Sequence, residues 1–136
     1  MILRCQKTIN FVIKLLIVLK KIYYLKTCNT CTKILKYVNP SEDVELQEIK
    51  SIPLTNQQVE ELKSLSGSFE SLFNKRSQLY KKYDLKNKNL REDDFKSYLL
   101  EHYTFLKRPV IVVGKEVFIG NSKSTVEAAK KALNEL

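Results

Sequence analysis

Apolar and polar positions along this chain follow patterns that predict strands at both ends and helices between them. The run 22–25 is rich in β-forming side chains and predicts a buried strand. Apolar residues at helical spacing then predict a helix over 31–38, which ends at Pro40 because proline cannot continue a helix. Alternation of apolar and polar residues over 44–49 predicts a second strand.

The middle of the chain carries only helical patterns. They predict a helix over 56–65 with Thr55 as its N-cap, one or two short helices within 68–83, and a helix over 91–102. The last quarter predicts a hairpin, with strands 110–113 and 116–119 joined by Gly114 and Lys115. A final helix, capped by Ser122 or Ser124, is predicted to run to Leu136.

The order of these elements predicts a single α/β domain. The first β-α-β unit gives a parallel pair through a crossover, and the closing β-β-α unit adds an antiparallel hairpin. The result is a mixed sheet in the thioredoxin-like order, βαβ–ββα, with an all-helical insertion. A chain of 136 residues has room for one such domain with a modest core.

The net charge is +9, from 24 Lys+Arg against 15 Asp+Glu. The first 21 residues hold five basic residues and no acidic one, so much of the basicity lies outside the predicted domain. The charge is therefore weak evidence for a nucleic-acid partner, and no direct nucleic-acid binding is expected.

Residues 1–20 are interpreted as a basic and apolar N-terminal extension outside the core, followed by the domain at 21–136. The apolar run 9–19 contains Lys14 and is about half the roughly 20 residues that a membrane span needs. A signal peptide or anchor is the alternative, but bulky residues follow the run where a cleavage site needs small ones. We expect a cytoplasmic protein without a membrane partner.

Two cysteines, Cys28 and Cys31, lie between the first predicted strand and the first predicted helix. A C-x-x-C pair beside a βαβ pattern is typical of redox proteins. A thiolate on Cys28 would be stabilised by the helix N-terminus, and Cys31, one turn later, could attack a mixed disulfide on Cys28. A zinc site is the alternative, yet it needs about four ligands, and the remaining candidates are Cys5 and His102. We expect no bound cofactor and no metal.

A second feature precedes the predicted hairpin. Pro109 stands at the first position of a strand, where proline is tolerated, and is a candidate for a cis peptide bond. Arg108 would project from the same end of the sheet as the cysteine loop, where a guanidinium can hold an oxyanion or stabilise a thiolate. The alternative for Arg108 is an ordinary solvated charge.

Three segments together resemble the ArsC/Spx family, which contains the glutaredoxin-linked arsenate reductases and their relatives. They are the cysteine loop at 24–31 (YLKTCNTC), the segment 74–77 (NKRS) and the segment 106–111 (LKRPVI). The resemblance extends over 21–136. It implies that Cys28 is the nucleophile and that Arg76 and Arg108 bind an oxyanion. In the reductases the thiolate attacks arsenate, and glutathione with glutaredoxin resolves the adduct.

The chain departs from the arsenate reductases in two ways. These enzymes carry a further arginine just after the hairpin, where this sequence has Phe-Ile-Gly-Asn at 118–121, and they commonly lack the second cysteine, present here as Cys31. In both respects the chain resembles the Spx-type and related uncharacterised branches of the family. Spx-type members use the cysteine pair as a redox switch and bind RNA polymerase.

Three hypotheses follow. The first is an ArsC-type thiol oxidoreductase with Cys31 as resolving thiol, recycled by glutathione with glutaredoxin or by thioredoxin, and acting on a small oxyanion such as arsenate or on a disulfide. The second is a glutathione-dependent reductase of another substrate. The third is a redox-switched regulator that binds RNA polymerase.

Overall fold

The computed structural model describes residues 18–135, which form a four-stranded sheet with helices on both faces. The strands and helices, in chain order, are β1 (Lys20–Tyr24), α1 (Asn29–Val38), β2 (Glu45–Glu48), α2 (Asn56–Ser66), α3 (Gln78–Lys82), α4 (Glu92–Glu101), β3 (Val110–Val113), β4 (Glu116–Ile119) and α5 (Lys123–Glu135). Short 3₁₀ turns lie at Glu70–Leu72, Leu85–Asn87 and Tyr103–Phe105.

The strand order is β2-β1-β3-β4. β1 pairs in parallel with β2 through the α1 crossover, and antiparallel with β3, which forms a hairpin with β4. The predicted mixed sheet, the hairpin and the helical insertion between β2 and β3 are thus confirmed. The segment 68–83 forms a 3₁₀ helix and the five-residue α3, which agrees with the prediction of one or two short helices there.

The start of β1 differs from the prediction. The strand begins at Lys20, which pairs with Val113 and is only 6% exposed, although residue 20 was assigned to the extension. The aliphatic stem of Lys20 is buried while its ammonium group reaches Asp43 at 3.2 Å, so a lysine is tolerated in a buried strand position. Val18 packs against one apolar cluster and the carbonyl of Leu19 accepts from the backbone N–H of Gly114, whereas residues 1–17 of the predicted extension, with Cys5, lie outside the described residues, as does Leu136.

Alternate residues of the sheet face two apolar clusters, as the period of two in a strand requires. Ile22 and Ile111 face α1 and α5, whereas Tyr23, Val110 and Val112 face the helical insertion. The sheet is therefore covered on both faces, and its chemistry is confined to the ends of the strands.

The insertion is joined to the sheet by an aromatic cluster around Phe73. The ring of Phe73 stacks on Phe105 with centroids 5.2 Å apart and meets Phe95 edge-to-face at 4.9 Å. Phe73 also forms an isolated antiparallel bridge with Leu106. These contacts place the segment before α3 alongside the segment that leads into β3.

The N-terminus of α2 is fixed to the edge of the sheet by two glutamines. Thr55 and Gln58 form the capping box of α2, which confirms the predicted N-cap. The amide of Gln58 exchanges hydrogen bonds with the buried amide of Gln47 in β2, at 2.8 and 3.1 Å. Gln47 also donates to the carbonyl of Ile52 at 3.0 Å, so every polar atom of this buried side chain has a partner.

Within the described residues, no helix combines the length and the apolar character that crossing a bilayer would require.

Candidate functional site

Cys28 is the N-cap residue of α1, at the point where the chain leaves β1. Its backbone N–H donates to the carbonyl of Leu25 at 3.1 Å, and its carbonyl accepts from the backbone N–H of Thr32 at 3.1 Å. The first bond closes a tight turn after the strand, and the second begins the helix. The Cys28 side chain is half-buried beside the unpaired N–H groups of the first helical turn, as the C-x-x-C spacing predicts.

The pKa of Cys28 lies below the ordinary value of a cysteine. Burial is the largest influence and acts to raise it, but the backbone N–H and the thiol of Cys31 and the charge of Arg108 together act more strongly in the opposite direction. A thiolate is the form of cysteine that attacks disulfides and electrophiles. Of the two cysteines, Cys28 is the one whose environment favours the thiolate.

Cys31 has the opposite environment. Its side chain is fully buried, and burial followed by the proximity of Cys28 raises its pKa to about 11, from a usual 9.0, despite lowering contributions from Leu25 and Arg108. The two thiols are both free. The pair thus consists of a half-buried thiol whose pKa is lowered and a fully buried thiol whose pKa is raised.

Arg108 ends the segment that leads into β3, immediately before Pro109. The Arg108–Pro109 peptide bond is cis, the geometry for which the sequence marks Pro109 as a candidate. The Nη1 group of Arg108 lies 3.5 Å from the carbonyl oxygens of both Tyr103 and Thr104, at the end of a 3₁₀ turn. Its Nε atom is buried and has no hydrogen-bond partner among the residues that the structure describes. The guanidinium is held against the backbone on one side and lowers the pKa of Cys28 on the other.

Arg76 approaches from the helical insertion. It is exposed, and its backbone N–H donates to the side chain of Asn74 at 3.0 Å, just before Ser77 caps α3. Asn74 is in turn fixed to the segment before β3, because its backbone N–H donates to the carbonyl of Phe105 at 2.7 Å. The contacts of Phe73 with Phe105 and Leu106 therefore determine where Arg76 lies relative to Arg108.

An open cleft of about 890 Å³ contains Cys28, Arg76 and Arg108 among its lining residues. The structure thus brings three of the four predicted site residues to one surface, with Cys31 buried next to Cys28. The cleft is also lined by Lys75, Lys107, Asn74 and the N-terminal end of α5 at Asn121 and Ser122, which the sequence reasoning did not assign to the site. The one indication of Ser122 in the sequence is its predicted role as an N-cap of the last helix, and its side chain does accept a hydrogen bond from the backbone N–H of Thr125.

The end of the hairpin supplies no third arginine to the cleft, because Gly120 and Asn121 stand there. Lys75 is near, but its ammonium is bound to Glu70 at 2.7 Å. Nowhere in residues 18–135 do three or more His, Cys, Asp or Glu side chains converge as a metal site would require. A second cavity, of about 410 Å³, lies at the opposite end of β1 beside Lys21 and contains neither cysteine.

Comparisons with known proteins agree on one family. The model of the ArsC family matches residues 23–129. Among solved structures, the chain is similar to an arsenate reductase from Vibrio cholerae, with 16% identity, a TM-score of 0.69 and coverage of 85% of this chain and 98% of that one. It is also similar to an arsenate reductase (ArsC) related protein from Brucella melitensis, with 20% identity, a TM-score of 0.63 and coverage of 81% and 92%.

A protein from Staphylococcus aureus is similar at 26% identity, with a TM-score of 0.67 and coverage of 82% of this chain and 98% of that one. No curated protein matches the sequence. The structural likenesses show the thioredoxin-like fold, and the family match covers most of the chain, including the cysteine loop and the segment before β3.

Proposed function

Because this chain belongs to the ArsC family, we propose that it is a thiol oxidoreductase with Cys28 as its nucleophile. The observation that carries the proposal is the pairing of a thiol whose pKa is lowered with a guanidinium in one cleft. Arg108 stabilises the thiolate in the resting protein. When Cys28 attacks a substrate, the same guanidinium and Arg76 are free to bind the negative charge that the substrate carries or releases.

The reaction with a disulfide proceeds by two exchanges. The Cys28 thiolate attacks one sulfur of the substrate disulfide, which forms a mixed disulfide and releases the other sulfur as a thiolate. Cys31 then loses its proton and attacks the sulfur of Cys28, so that the second substrate thiol leaves and a Cys28–Cys31 disulfide forms. Two electrons pass from the cysteine pair to the substrate. The raised pKa of Cys31 keeps this second thiol protonated until the mixed disulfide replaces the Cys28 thiolate.

Arsenate is a candidate substrate within the same chemistry. The Cys28 thiolate would displace a hydroxyl group of arsenate, which takes a proton from solvent and leaves as water. A second thiol, from Cys31 or glutathione, would then attack the Cys28 sulfur, so that a disulfide forms, the S–As bond breaks and arsenic leaves reduced by two electrons. The cleft offers Arg76 and Arg108 as cationic donors without a third arginine. One charge-assisted hydrogen bond fewer costs about 1.5–3 kcal/mol, which is about ten- to a hundredfold in affinity. This comparison favours a disulfide over arsenate as the better substrate.

Recycling of the oxidised pair requires an external thiol. We propose glutathione with glutaredoxin, or thioredoxin, as the reductant, since each delivers two electrons by the same exchange chemistry.

The test is the reaction of the reduced, purified protein with hydroxyethyl disulfide in the absence of other thiols, and separately turnover with arsenate in the presence of glutathione and glutaredoxin. Cys28→Ser should abolish both reactions, whereas Thr27→Ser, in the same loop, should leave them unchanged. Cys31→Ser should accumulate a mixed disulfide on Cys28 that mass spectrometry detects. Turnover that survives in Cys28→Ser would exclude this mechanism.

Arg108→Ala tests the role of the guanidinium separately. It should raise the pKa of Cys28, measured from thiolate absorbance against pH, while Lys115→Ala in the distant hairpin turn should not change it.

A second candidate function is a redox-switched regulator that binds RNA polymerase. The burial of Cys31 directly behind Cys28 favours it, because a bond between the two would change the start of α1. Co-purification with the polymerase α subunit, lost or gained on oxidation, would support this function, and no association in either state would exclude it.

A further inference from the structure

One segment holds all the excess charge of the described part of the chain. Residues 75–91 contain seven basic residues and a single acidic one, Asp84, whereas the rest of 18–135 contains fourteen basic and fourteen acidic residues. The seven basic residues, which we call the basic surface, are Lys75, Arg76, Lys81, Lys82, Lys86, Lys88 and Arg91.

The basic surface is exposed and almost without ion pairs. All seven side chains are exposed, and among the residues that the structure describes only Lys75 has a carboxylate within 4.0 Å. Elsewhere, lysines of the sheet and of the insertion do find acids, as in the Lys20–Asp43 and Lys96–Glu60 pairs. The other six cations are close together in the sequence and have no carboxylate partner among the described residues, so they produce a positive potential that is exposed to solvent.

The segment that carries the basic surface is packed onto the domain. Leu85 is 1% exposed in the core, and the ring of Tyr83 lies 6.4 Å from Phe105 and 6.5 Å from Tyr98. Asp84, the one acid, accepts a hydrogen bond from the side chain of Asn87. The cations are therefore carried by a packed part of the domain and not by a charged tail.

The basic surface begins at the reactive cleft. Lys75 and Arg76 line the cleft that contains Cys28, and the remaining five residues follow in the chain, in α3, in the 3₁₀ turn at Leu85–Asn87 and up to the start of α4. A molecule large enough to span this length while reaching Cys28 must be a macromolecule. Its surface must be acidic next to the group that reacts with Cys28.

We propose that the basic surface docks the protein dithiol that reduces the oxidised cysteine pair, through an acidic surface beside that protein's own cysteines. This inference rests on the proposed function and adds to it the place and the charge of the partner. A nucleic acid would match the charge, but it has no thiol to exchange with Cys28, and the first two residues of the basic surface line the cleft that contains this sulfur.

The exchange at this surface balances as follows. A partner thiolate attacks the Cys28 sulfur of the Cys28–Cys31 disulfide, and Cys31 leaves and takes up a proton. The second partner thiol then attacks the partner's own sulfur in the mixed disulfide, and Cys28 leaves as the thiolate that Arg108 stabilises. The partner is oxidised to a disulfide, and two electrons reach this chain.

The test is the second-order rate at which a thioredoxin of net negative charge reduces the oxidised protein. Charge reversal of three exposed residues, Lys81→Glu, Lys82→Glu and Lys86→Glu together, is compared with the matched triple Lys36→Glu, Lys115→Glu and Lys131→Glu. Dithiothreitol, which is uncharged and small, reports the thiol chemistry of each protein without docking.

We expect the wild-type rate to fall tenfold or more between about 0.01 M and about 1 M ionic strength, since steering by charge accelerates association by about 10–10³ and is screened by salt. The basic-surface triple should be slow at low salt and insensitive to salt, and the matched triple should behave as wild type. All three should react equally with dithiothreitol. A basic-surface triple that keeps the wild-type rate, or a matched triple that loses as much, would overturn the inference.

Two further outcomes separate the alternatives. If a fluorescent single-stranded oligonucleotide binds the wild type but not the basic-surface triple, and the thioredoxin rate is the same in both, the surface binds nucleic acid and the inference is wrong. If dithiothreitol fails to regenerate a reactive Cys28 even in the wild type, the proposed function itself is wrong.

Discussion

The contrast between the two cysteines leads to a quantitative prediction about alkylation. Burial holds the pKa of Cys31 at about 11 against a usual 9.0. Two pKa units correspond to about a hundredfold fewer thiolates at any pH well below 9. At pH 8 about one Cys31 in a thousand would be ionised, against about one in ten for an ordinary thiol. Because the thiolate is the reacting form, Cys31 should be alkylated about a hundredfold more slowly than a free thiol.

The assay is a time course with iodoacetamide at pH 8, followed by mass spectrometry of the peptide that contains both cysteines. Cys28 should be modified first and Cys31 only over much longer times. In Cys28→Ser the negative charge at residue 28 is lost, so the pKa of Cys31 should fall and its alkylation should become faster. Alkylation of both sites at one rate in denaturant is the control.

Equal rates at the two cysteines in the folded protein would refute this reasoning.

The raised pKa of Cys31 also determines how its ionisation changes the stability of the fold with pH. A group whose pKa is raised on folding stabilises the fold fully below its unfolded value and loses this contribution at higher pH. The contribution of Cys31 should therefore be complete below about pH 9 and disappear as the pH approaches about 11.

Three further predictions concern the supports of the site. Gln47→Ala should lower the free energy of unfolding by about 1–3 kcal/mol, because the Gln58 amide and the Ile52 carbonyl lose their partner in β2. Gln57→Ala, exposed in the first turn of α2, should have little effect. Urea denaturation measures both. Burial raises the pKa of Glu48, but hydrogen bonds from the backbone of residues 26, 50 and 51 and from the side chain of Ser51 lower it overall. The stabilisation that this carboxylate provides is lost as it is protonated below pH 4.5, so Glu48→Gln should lose less stability than the wild type on acidification. Thermal denaturation measured across pH tests this. Arg108→Ala should lower the rate of Cys28 alkylation at pH 6, with the rate recovering as the pH rises.

The elements near the chemistry were predictable from sequence because local patterns determine them. β3 and β4 follow from an apolar run, a Gly114–Lys115 turn and a returning strand, and α2 from the Thr55 cap. The position of Cys28 at a helix N-terminus follows from the spacing of the two cysteines after a strand. These features depend on neighbours a few residues away.

Other features depend on contacts between distant segments and were not predictable from a local pattern. Lys20 reads as the end of a basic extension, and only its pairing with Val113 makes it part of the sheet. The approach of Arg76 to Arg108 depends on the bridge between Phe73 and Leu106, more than thirty positions apart. For Arg76, the family resemblance supplied what the local pattern lacked.

The distribution of charge also needed the structure. In the whole sequence, the five basic residues at the start of the chain obscure the excess of basic residues in 75–91, where a pair such as Lys75 and Arg76 indicates only a solvated surface. Among the described residues, the acids elsewhere balance the bases, and the imbalance of that one segment becomes visible.

The pairing of β1 with β3 has a consequence for how the protein is made. Ile22 pairs with Ile111 in the sheet, so during synthesis on the ribosome β1 cannot pair with β3 until the later strand has been made. Arg108 emerges just before that late strand, long after the cysteines. In a nascent chain Cys28 and Cys31 therefore behave as ordinary thiols, and the contrast between them, a lowered pKa at Cys28 and a raised one at Cys31, arises only when translation has delivered the hairpin and the domain has closed.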